Sequence, residues 1–204
     1  MIVGSVSAIR ENDICRMTAY SSAAQIGYIY LGIGLGTPAG LTASLFHVMT
    51  HAVTKSILFT SAAGLSDVSG DSKRFQFLQG AGLRNRAAGI AFTVGALSMV
   101  GLPVFAGFVS KILFAEASVL NPYKMLPTLI VLAISTVLNA FYFMRTVIRI
   151  YRPAEEAAAY RTLRVGQQKA FVFALAVLVV CNLILGLWSR PAAQILTDGI
   201  SMFS

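Results

Sequence analysis

The sequence predicts an all-α membrane protein with about five transmembrane helices and an N-terminal helix stump. Of its 204 residues, 56% are hydrophobic and only 12% are charged. The apolar residues form long segments, each sufficient to cross a hydrocarbon layer of about 30 Å. We interpret residues 1–204 as a single transmembrane helical domain without an internal repeat.

Five segments account for the predicted spans, numbered one to five along the chain. They are Thr18–Leu35, Leu41–Leu65, Arg86–Leu120, Tyr123–Tyr151 and Ala170–Ser189. Residues 1–9 are apolar but too short to cross, and they lack the charged region and cleavage site of a signal peptide. We expect them to be the end of a helix whose beginning lies outside this chain.

The third span is longer than one crossing requires, and the sequence Gly101-Leu102-Pro103 lies in its middle. Glycine and proline at that position predict a break in the helix. If the third span is counted as one broken crossing, nearly all basic residues fall on one side of the membrane. Lys124 and Arg190 then lie on the other side. The positive-inside bias makes the basic side cytoplasmic.

The net charge of +8 raises the question of nucleic acid binding. The basic residues flank the spans and lack the interleaved aromatic residues of a base-stacking surface. We therefore expect the basic residues to set the orientation of the spans in the membrane and to contact anionic lipids of the bilayer. We predict no nucleic-acid partner. The loop Arg152–Gln168 contains an alanine run that predicts a short interfacial helix.

Metal and cofactor motifs are incomplete. His47 and His51 have the spacing of a zinc pair on a helix, but Val48 stands where a metalloprotease has glutamate, and there is no third histidine. Cys15 and Cys181 belong to different depths, which argues against a disulfide, and two cysteines cannot ligate an iron–sulfur cluster alone. The sequence predicts no metal, NADH, flavin or iron–sulfur site.

Three titratable residues, His47, His51 and Lys55, lie in the apolar second span. On a helix they occupy a stripe about 80° wide, so we expect them to point the same way. Lys55 lies about 21 Å and about 15 Å along the helix from the two ends of the span, too deep for snorkelling. Its insertion costs roughly 2.5–3.5 kcal/mol, which requires water or a polar partner.

Lys111 follows the predicted break by a few residues. Broken helices expose backbone groups at mid-membrane depth, where transporters place their ion sites. We therefore predict a proton path through His47, His51, Lys55 and Lys111. The alternative is that these groups only join neighbouring helices by hydrogen bonds. Glu116 lies nearer a helix end and receives no assigned role.

The sequence contains several blocks in a fixed order. They are Asp13-Ile14-Cys15-Arg16, Ala19-Tyr20-Ser21-Ser22, Gln25-Ile26-Gly27-Tyr28, Phe46-His47 through Lys55 to Leu58-Phe59, Gly101-Leu102-Pro103, and Ala106-Gly107-Phe108 with Lys111. These blocks closely resemble the antiporter-like subunits of respiratory complex I, and Mrp-type cation/proton antiporters and membrane-bound hydrogenases share them. The match is strongest from Asp13 to Ala117.

The resemblance implies a fold of two inverted five-helix repeats, of which this chain resembles the second. It implies that Lys55 is the central relay lysine, that His47 and His51 are its relay partners, and that Lys111 lies close to the outward exit. Cys15 departs from the family pattern, which commonly has lysine there. The larger departure is length, since the first repeat is absent and the chain corresponds to the C-terminal part of a subunit.

These inferences together predict proton translocation within a complex-I-like NADH-quinone oxidoreductase, a hydrogenase or an Mrp-type antiporter. The expected partners are other membrane subunits, including one that supplies the missing first-repeat helices. Two alternatives stay open: a non-conducting scaffold, and Na⁺/H⁺ antiport. The expected location is a bacterial or archaeal cytoplasmic membrane, or an energy-transducing organelle membrane.

Overall fold

The computed structural model describes residues 1–153, 162, 163, 166 and 168–202. These residues form helices and one isolated β-bridge, between Asp13 and Arg74. The helical prediction is confirmed, whereas the interfacial helix expected within Arg152–Gln168 falls largely outside the described residues. The helices are α1 (Ile2–Arg10), α2 (Ile14–Gly34), α3 (Pro38–Asp67), α4 (Ala81–Arg84), α5 (Arg86–Val100), α6 (Ala106–Val119), α7 (Pro122–Tyr151), α8 (Lys169–Leu187) and α9 (Ser189–Ser201).

Helices α2 and α3 contain the first two predicted spans, and side-chain caps fix where both begin. The Asp13 side chain accepts a hydrogen bond from the Arg16 amide at 2.9 Å, and the Thr37 side chain accepts one from the Gly40 amide at 3.1 Å. Such caps satisfy amides that have no partner within the helix. Gly40 lies against the carbonyl of Gly32, so the two helices pack closely at this end.

The third span is interrupted, as predicted. Helix α5 ends before Gly101, which adopts φ 89°, and its amide donates to the Leu97 carbonyl at 3.0 Å. Val104 also has a positive φ, 84°, before α6 begins. This conformation is unfavourable for a β-branched residue, so the surrounding structure must impose it.

The two pieces of the interrupted span run from one end of the helix bundle to the other. Asn85, next to the start of α5, donates to the Gly64 carbonyl near the end of α3 at 3.0 Å. Asn121, beyond the end of α6, donates to the Leu35 carbonyl after α2 at 3.3 Å. Lys124 donates to Gly34 at that same end, opposite Arg10 and the other arginines that flank α1 and α2.

Helices α7 and α8 correspond to spans four and five, but α9 was not predicted. Arg190, Gln194 and Asp198 interrupt the apolar pattern there. Helix α9 packs against α3, and the hydroxyls of Thr197 and Thr42 lie 3.3 Å apart. Helix α9 therefore packs against another helix, although the hydropathy of its sequence did not predict it.

Among the described helices, α7 and α8 are long and apolar enough to cross a membrane by length and composition. Their most apolar windows have mean hydropathies of 1.8 and 2.8. Helices α2 and α3 bury polar side chains, among them Gln25, His47 and Lys55, which lower their hydropathy. The total of about five spans stays a prediction.

Two apolar clusters flank the middle of α3. The larger contains Leu58, Phe92 and Phe143, and the other contains Ala43 and Phe114. The histidines and Lys55 lie along α3 between Ala43 and Leu58. The fold therefore encloses the titratable residues between two apolar layers.

We expect Gly107→Ala to destabilise the fold because α6 crosses α5 at this glycine. A β-carbon at Gly107 would overlap the backbone carbonyl of Ser98, whereas one at Gly34 would meet nothing within 4 Å. Overpacking of this kind costs about 1–3 kcal/mol. Thermal unfolding of the purified membrane protein should show a clear loss for Gly107→Ala and little change for Gly34→Ala. Equal unfolding temperatures would contradict the close crossing.

Candidate functional site

Two stacked histidines occupy the middle of α3. The rings of His47 and His51 lie 6.1 Å apart between centroids, with an interplanar angle of 25°. His47 Nδ1 lies 2.6 Å from the Ser110 hydroxyl of α6. The Nε2 atoms of both rings are buried without a hydrogen-bond partner in the described structure. Each ring therefore keeps a nitrogen available to gain or lose a proton.

Aromatic side chains fix the orientation of the first histidine. The ring of Tyr28 stacks on His47 with centroids 5.3 Å apart, and Phe114 contacts the same ring edge-on at 5.5 Å. These contacts hold the imidazole toward Ser110 on α6. Helix α2 supplies Tyr28, and α6 supplies the other two residues.

The ammonium group of Lys55 turns toward α2 rather than α6. It donates to the Thr18 carbonyl at 2.9 Å and to the Ser21 hydroxyl. It also lies 5.8 Å from the centroid of the Phe143 ring. Its long side chain reaches polar groups in the first half of α2, whereas His47 contacts Tyr28 further along the same helix.

The structure brings Lys111 to the helix break, as the sequence predicts. Its ammonium donates to the carbonyls of Met99 at 3.2 Å and Val100 at 2.5 Å, the last two residues of α5. Carbonyls at a helix C-terminus lack partners within the helix and carry the negative end of its dipole. The side chain of Lys111, on α6, therefore caps the C-terminal end of α5.

A small cavity connects the histidines with Lys111. Its volume of about 10 Å³ is close to the space that one water molecule needs. It is lined by Gln25, His47, Thr50, His51, Thr54, Ser98, Met99, Gly107 and Lys111. Within the described part of the chain, the hydrogen bonds of both lysines are to neutral oxygens.

Asn182 of α8 is a member of this site that the sequence reasoning missed. Its amide donates to the Thr54 hydroxyl at 2.8 Å and to the Ser98 hydroxyl at 3.1 Å. Ser98 in turn accepts the Gly107 amide of α6 at 3.3 Å. Asn182 thus ties α3, α5 and α6 together beside the break. The sequence signal that could have revealed Asn182 is a polar amide side chain within the strongly apolar segment that forms α8.

A second polar group, here called the α7 seam, extends from Lys55 and was also missed. It consists of Ser5, Ser21, Tyr28, Ser135, Asn139 and Tyr142. The Tyr142 hydroxyl donates to the Asn139 side chain at 2.5 Å and lies beside Ser5 and Ser21. The Tyr28 hydroxyl lies beside Ser135 and Asn139. Buried hydroxyl and amide groups therefore continue the seam along α7.

The remaining acidic and metal-ligating candidates lie elsewhere. Glu116 is exposed on α6. In the described ranges, no group of three or more histidine, cysteine, aspartate or glutamate residues is placed to hold a metal ion. Cys15 and Cys181 are both free thiols.

A model of the family described as NADH:quinone oxidoreductase/Mrp antiporter, transmembrane, matches residues 1–139. The chain belongs to this family. The resemblance drawn from the sequence blocks is thereby confirmed, and the chain is an antiporter-like integral membrane subunit.

Relatives and solved structures show how much of their own length this chain matches. NADH-quinone oxidoreductase subunit N of Desulforudis audaxviator is 36% identical over 196 residues, which cover 92% of this chain and 37% of the relative. The membrane-bound sulfane sulfur reductase, an archaeal respiratory membrane complex, contains a chain that is 26% identical with a TM-score of 0.84, covering 97% of this chain and 39% of that one. A chain of the Mrp complex from Dietzia sp., 22% identical, has the same fold with a TM-score of 0.84 and covers 98% of this chain and 44% of that one. The chain spans about two fifths of the length of the curated relatives it matches.

We expect Asn182 and Thr54 to be energetically coupled because they share a buried hydrogen bond. In a double-mutant cycle of Asn182→Ala with Thr54→Val, the coupling free energy should be about 0.6 kcal/mol, the average for such bonds in membrane helices, and at most about 1.7 kcal/mol. Cys181→Ala, on the exposed side of α8, should show no coupling with Thr54→Val. Additive effects of the first pair would contradict the tie between α8 and α3.

Proposed function

We propose that this chain translocates protons across the membrane through Lys55, His51, His47 and Lys111. The single observation that carries the proposal is the convergence of His47, His51 and Lys111 on one small cavity at a helix break. Titratable groups that share a cavity can exchange protons through a bound water molecule. Residues 1–204 act here as one transmembrane domain.

The hydrogen-bond partners of Lys55 and Lys111 are uncharged, which suits both lysines to proton exchange. A buried lysine paired with a carboxylate leaves an uncompensated charge when it loses its proton, which costs several kcal/mol. The partners of Lys55 and Lys111 are carbonyls and a hydroxyl. Because a neutral amine still donates to these oxygens, either lysine can release a proton without breaking up its site.

The histidines provide the step between the lysines. His47 holds Ser110 through Nδ1 and leaves Nε2 without a partner. An imidazole accepts a proton at one ring nitrogen and releases one from the other. Protons would pass between Lys111 and the histidine pair through the cavity, and His51 lies one turn from Lys55 on α3.

The α7 seam supports Lys55 on its other side. Ser21 contacts the ammonium directly, and Tyr142 lies beside Ser21. Hydroxyl groups both donate and accept hydrogen bonds, so they accommodate Lys55 with or without its proton. We propose that the seam stabilises both protonation states of Lys55.

The assembly is proposed from the relatives and structural neighbours, which are parts of an NADH-quinone oxidoreductase, an Mrp complex and a respiratory membrane complex. We propose partner membrane subunits in a complex-I-like, hydrogenase or Mrp-type assembly, with one partner or further chain supplying the first-repeat helices. The membrane would be a bacterial or archaeal cytoplasmic membrane or an energy-transducing organelle membrane. Redox chemistry would belong to the partners.

Replacing Lys55 or Lys111 should strongly reduce proton translocation. We expect Lys55→Ala and Lys111→Ala each to reduce pumping by about tenfold or more, as when a positioned proton-transfer group is removed. Lys124→Ala should leave pumping unchanged, because Lys124 is exposed and lies at a bundle end. Pumping is measured by a pH-sensitive dye in vesicles containing the assembled complex, after each variant is shown to assemble.

Unchanged pumping in both lysine variants would contradict the proposed proton relay and favour the scaffold alternative. The same vesicles separate proton transport from Na⁺/H⁺ antiport. A relay of amines and imidazoles should work without sodium, so a strict dependence of transport on Na⁺ would favour antiport instead.

We expect Tyr142→Phe to lower pumping more mildly, because it removes one hydroxyl of the α7 seam and keeps the ring. The loss of one hydrogen bond, about 0.5–1.5 kcal/mol, corresponds to a decrease of about 2–10-fold. Tyr30→Phe is the matched control, since Tyr30 is 70% exposed. A larger solvent deuterium isotope effect in Tyr142→Phe would show that a proton step has slowed. Identical rates and isotope effects in both variants would exclude a role for the seam.

A further inference from the structure

Two hydroxyl groups and one amide form a hydrogen-bonded triad beside the helix break. The members are Thr54 of α3, Ser98 of α5 and Asn182 of α8. Thr54 and Ser98 also line the small cavity that contains His51 and Lys111. All three side chains are buried, and Ser98 and Asn182 are 0% exposed. Because such groups cannot turn to solvent, the directions of their protons follow from the neighbours that they contact.

The hydroxyl of Thr54 fixes the orientation of the Asn182 amide. Thr54 donates its single proton to the Thr50 carbonyl at 2.7 Å, so its oxygen can only accept a further hydrogen bond. The group of Asn182 that lies 2.8 Å from this oxygen must therefore be the NH₂ group and not the carbonyl. The amide directs its second donor to the Ser98 hydroxyl. In the described residues, Asn182 Oδ1 is buried without a partner, so the two donor contacts determine the orientation.

Two amide groups in turn fix the hydroxyl of Ser98. Its oxygen accepts the Asn182 side chain at 3.1 Å and the backbone amide of Gly107 at 3.3 Å, which occupies both of its lone pairs. Towards any further group, Ser98 can therefore act only as a donor. The Thr54 oxygen lies 3.5 Å away, beyond the usual range of about 2.5–3.0 Å for an O–H···O bond. The hydroxyl proton of Ser98 is therefore available to the small cavity.

The small cavity combines this fixed donor with two groups that change protonation. In the described structure, His51 Nε2 is buried without a hydrogen-bond partner. The Lys111 amine uses two of its three positions on the carbonyls of Met99 and Val100, which leaves one position for the cavity that it lines. The volume of about 10 Å³ suits one water molecule. Such a water accepts one hydrogen bond from Ser98 and keeps its second lone pair for an incoming proton.

We propose that Asn182 is a positioning residue that holds the Ser98 hydroxyl as a donor to the water that carries protons between His51 and Lys111. This inference rests on the proposed proton relay. The His51 imidazolium gives its Nε2 proton to the water oxygen while the water passes one of its own protons to the neutral Lys111 amine. In the opposite direction the Lys111 ammonium gives the proton and the neutral imidazole receives it. Ser98 keeps its bond to the water in both directions and neither gains nor loses a proton.

Loss of the Asn182 amide frees one lone pair of Ser98. The Ser98 oxygen can then accept a hydrogen bond from the water, which diverts a water proton away from His51 or Lys111. An amide that only joined helices would affect stability and not the proton-transfer step. The rate of that step therefore distinguishes a positioning role from a packing role.

The test measures proton pumping by the assembled complex in vesicles that contain Asn182→Leu, Ser98→Ala or both substitutions. We expect each single variant to lower pumping by about 2–10-fold, as for the loss of one hydrogen bond, and to raise the solvent deuterium isotope effect. Because Asn182 acts through Ser98, the double variant should pump no more slowly than Ser98→Ala alone. Cys181→Ala, on the exposed side of α8, should pump like the parent protein. If Asn182→Leu does not assemble, Asn182→Ala replaces it.

Three results would overturn the positioning role. The first is pumping by Asn182→Leu at the parent rate or above it. The second is a loss of equal size when Asn182→Leu is added to the parent and to Ser98→Ala, and the third is a loss with an unchanged isotope effect. Both of the latter results would assign Asn182 to packing alone.

The lysine variants separate this role from the relay on which it rests. If Lys55→Ala and Lys111→Ala lose pumping while Asn182→Leu does not, the positioning role fails and the relay stands. If all three variants pump like the parent protein, the relay and the positioning role both fail.

Discussion

The rest of the site depends on the carbonyls at the end of α5, which have no hydrogen-bond partner within that helix. An interrupted helix within a membrane exposes backbone groups that cannot remain without partners. Lys111 donates to two of these carbonyls from α6, so the break and the buried charge stabilise each other. Without the break Lys111 would lack its acceptors, and without Lys111 the carbonyls of Met99 and Val100 would lose this donor.

Packing around the break explains why it is held in one conformation. Gly107 lets α6 cross directly over the Ser98 carbonyl, and Gly186 of α8 fits against the backbone of Val104 and Phe105. Asn182 then joins α8 to Thr54 and Ser98 by hydrogen bonds. Glycine at the crossings and an amide as the tie are common in membrane helix packing. The strained Val104 therefore sits where three helices restrict the chain.

The polar groups of this bundle differ in chemistry at its centre and at its end. At the centre, the described contacts of Lys55 and Lys111 are to neutral oxygens, so their protonation can change without separating an ion pair. At the bundle end where α1 ends and α2 begins, five arginines lie close together with few carboxylates, and guanidinium groups do not change protonation. The first arrangement suits proton exchange, whereas the second carries a fixed positive charge.

The sequence by itself determined the helical class, the interruption near Gly101, and His47, His51, Lys55 and Lys111 as candidates, because apolar segments, helix breakers and buried charges are local signals. Only the tertiary structure decided that Lys55 turns toward α2, that Asn182 and Tyr142 join the site, and that α9 is helical. These features depend on contacts between residues far apart in the chain, such as Asn182 with Thr54. A hydrogen bond between two helices leaves no periodic pattern in either one, so it becomes visible only when the helices are packed together.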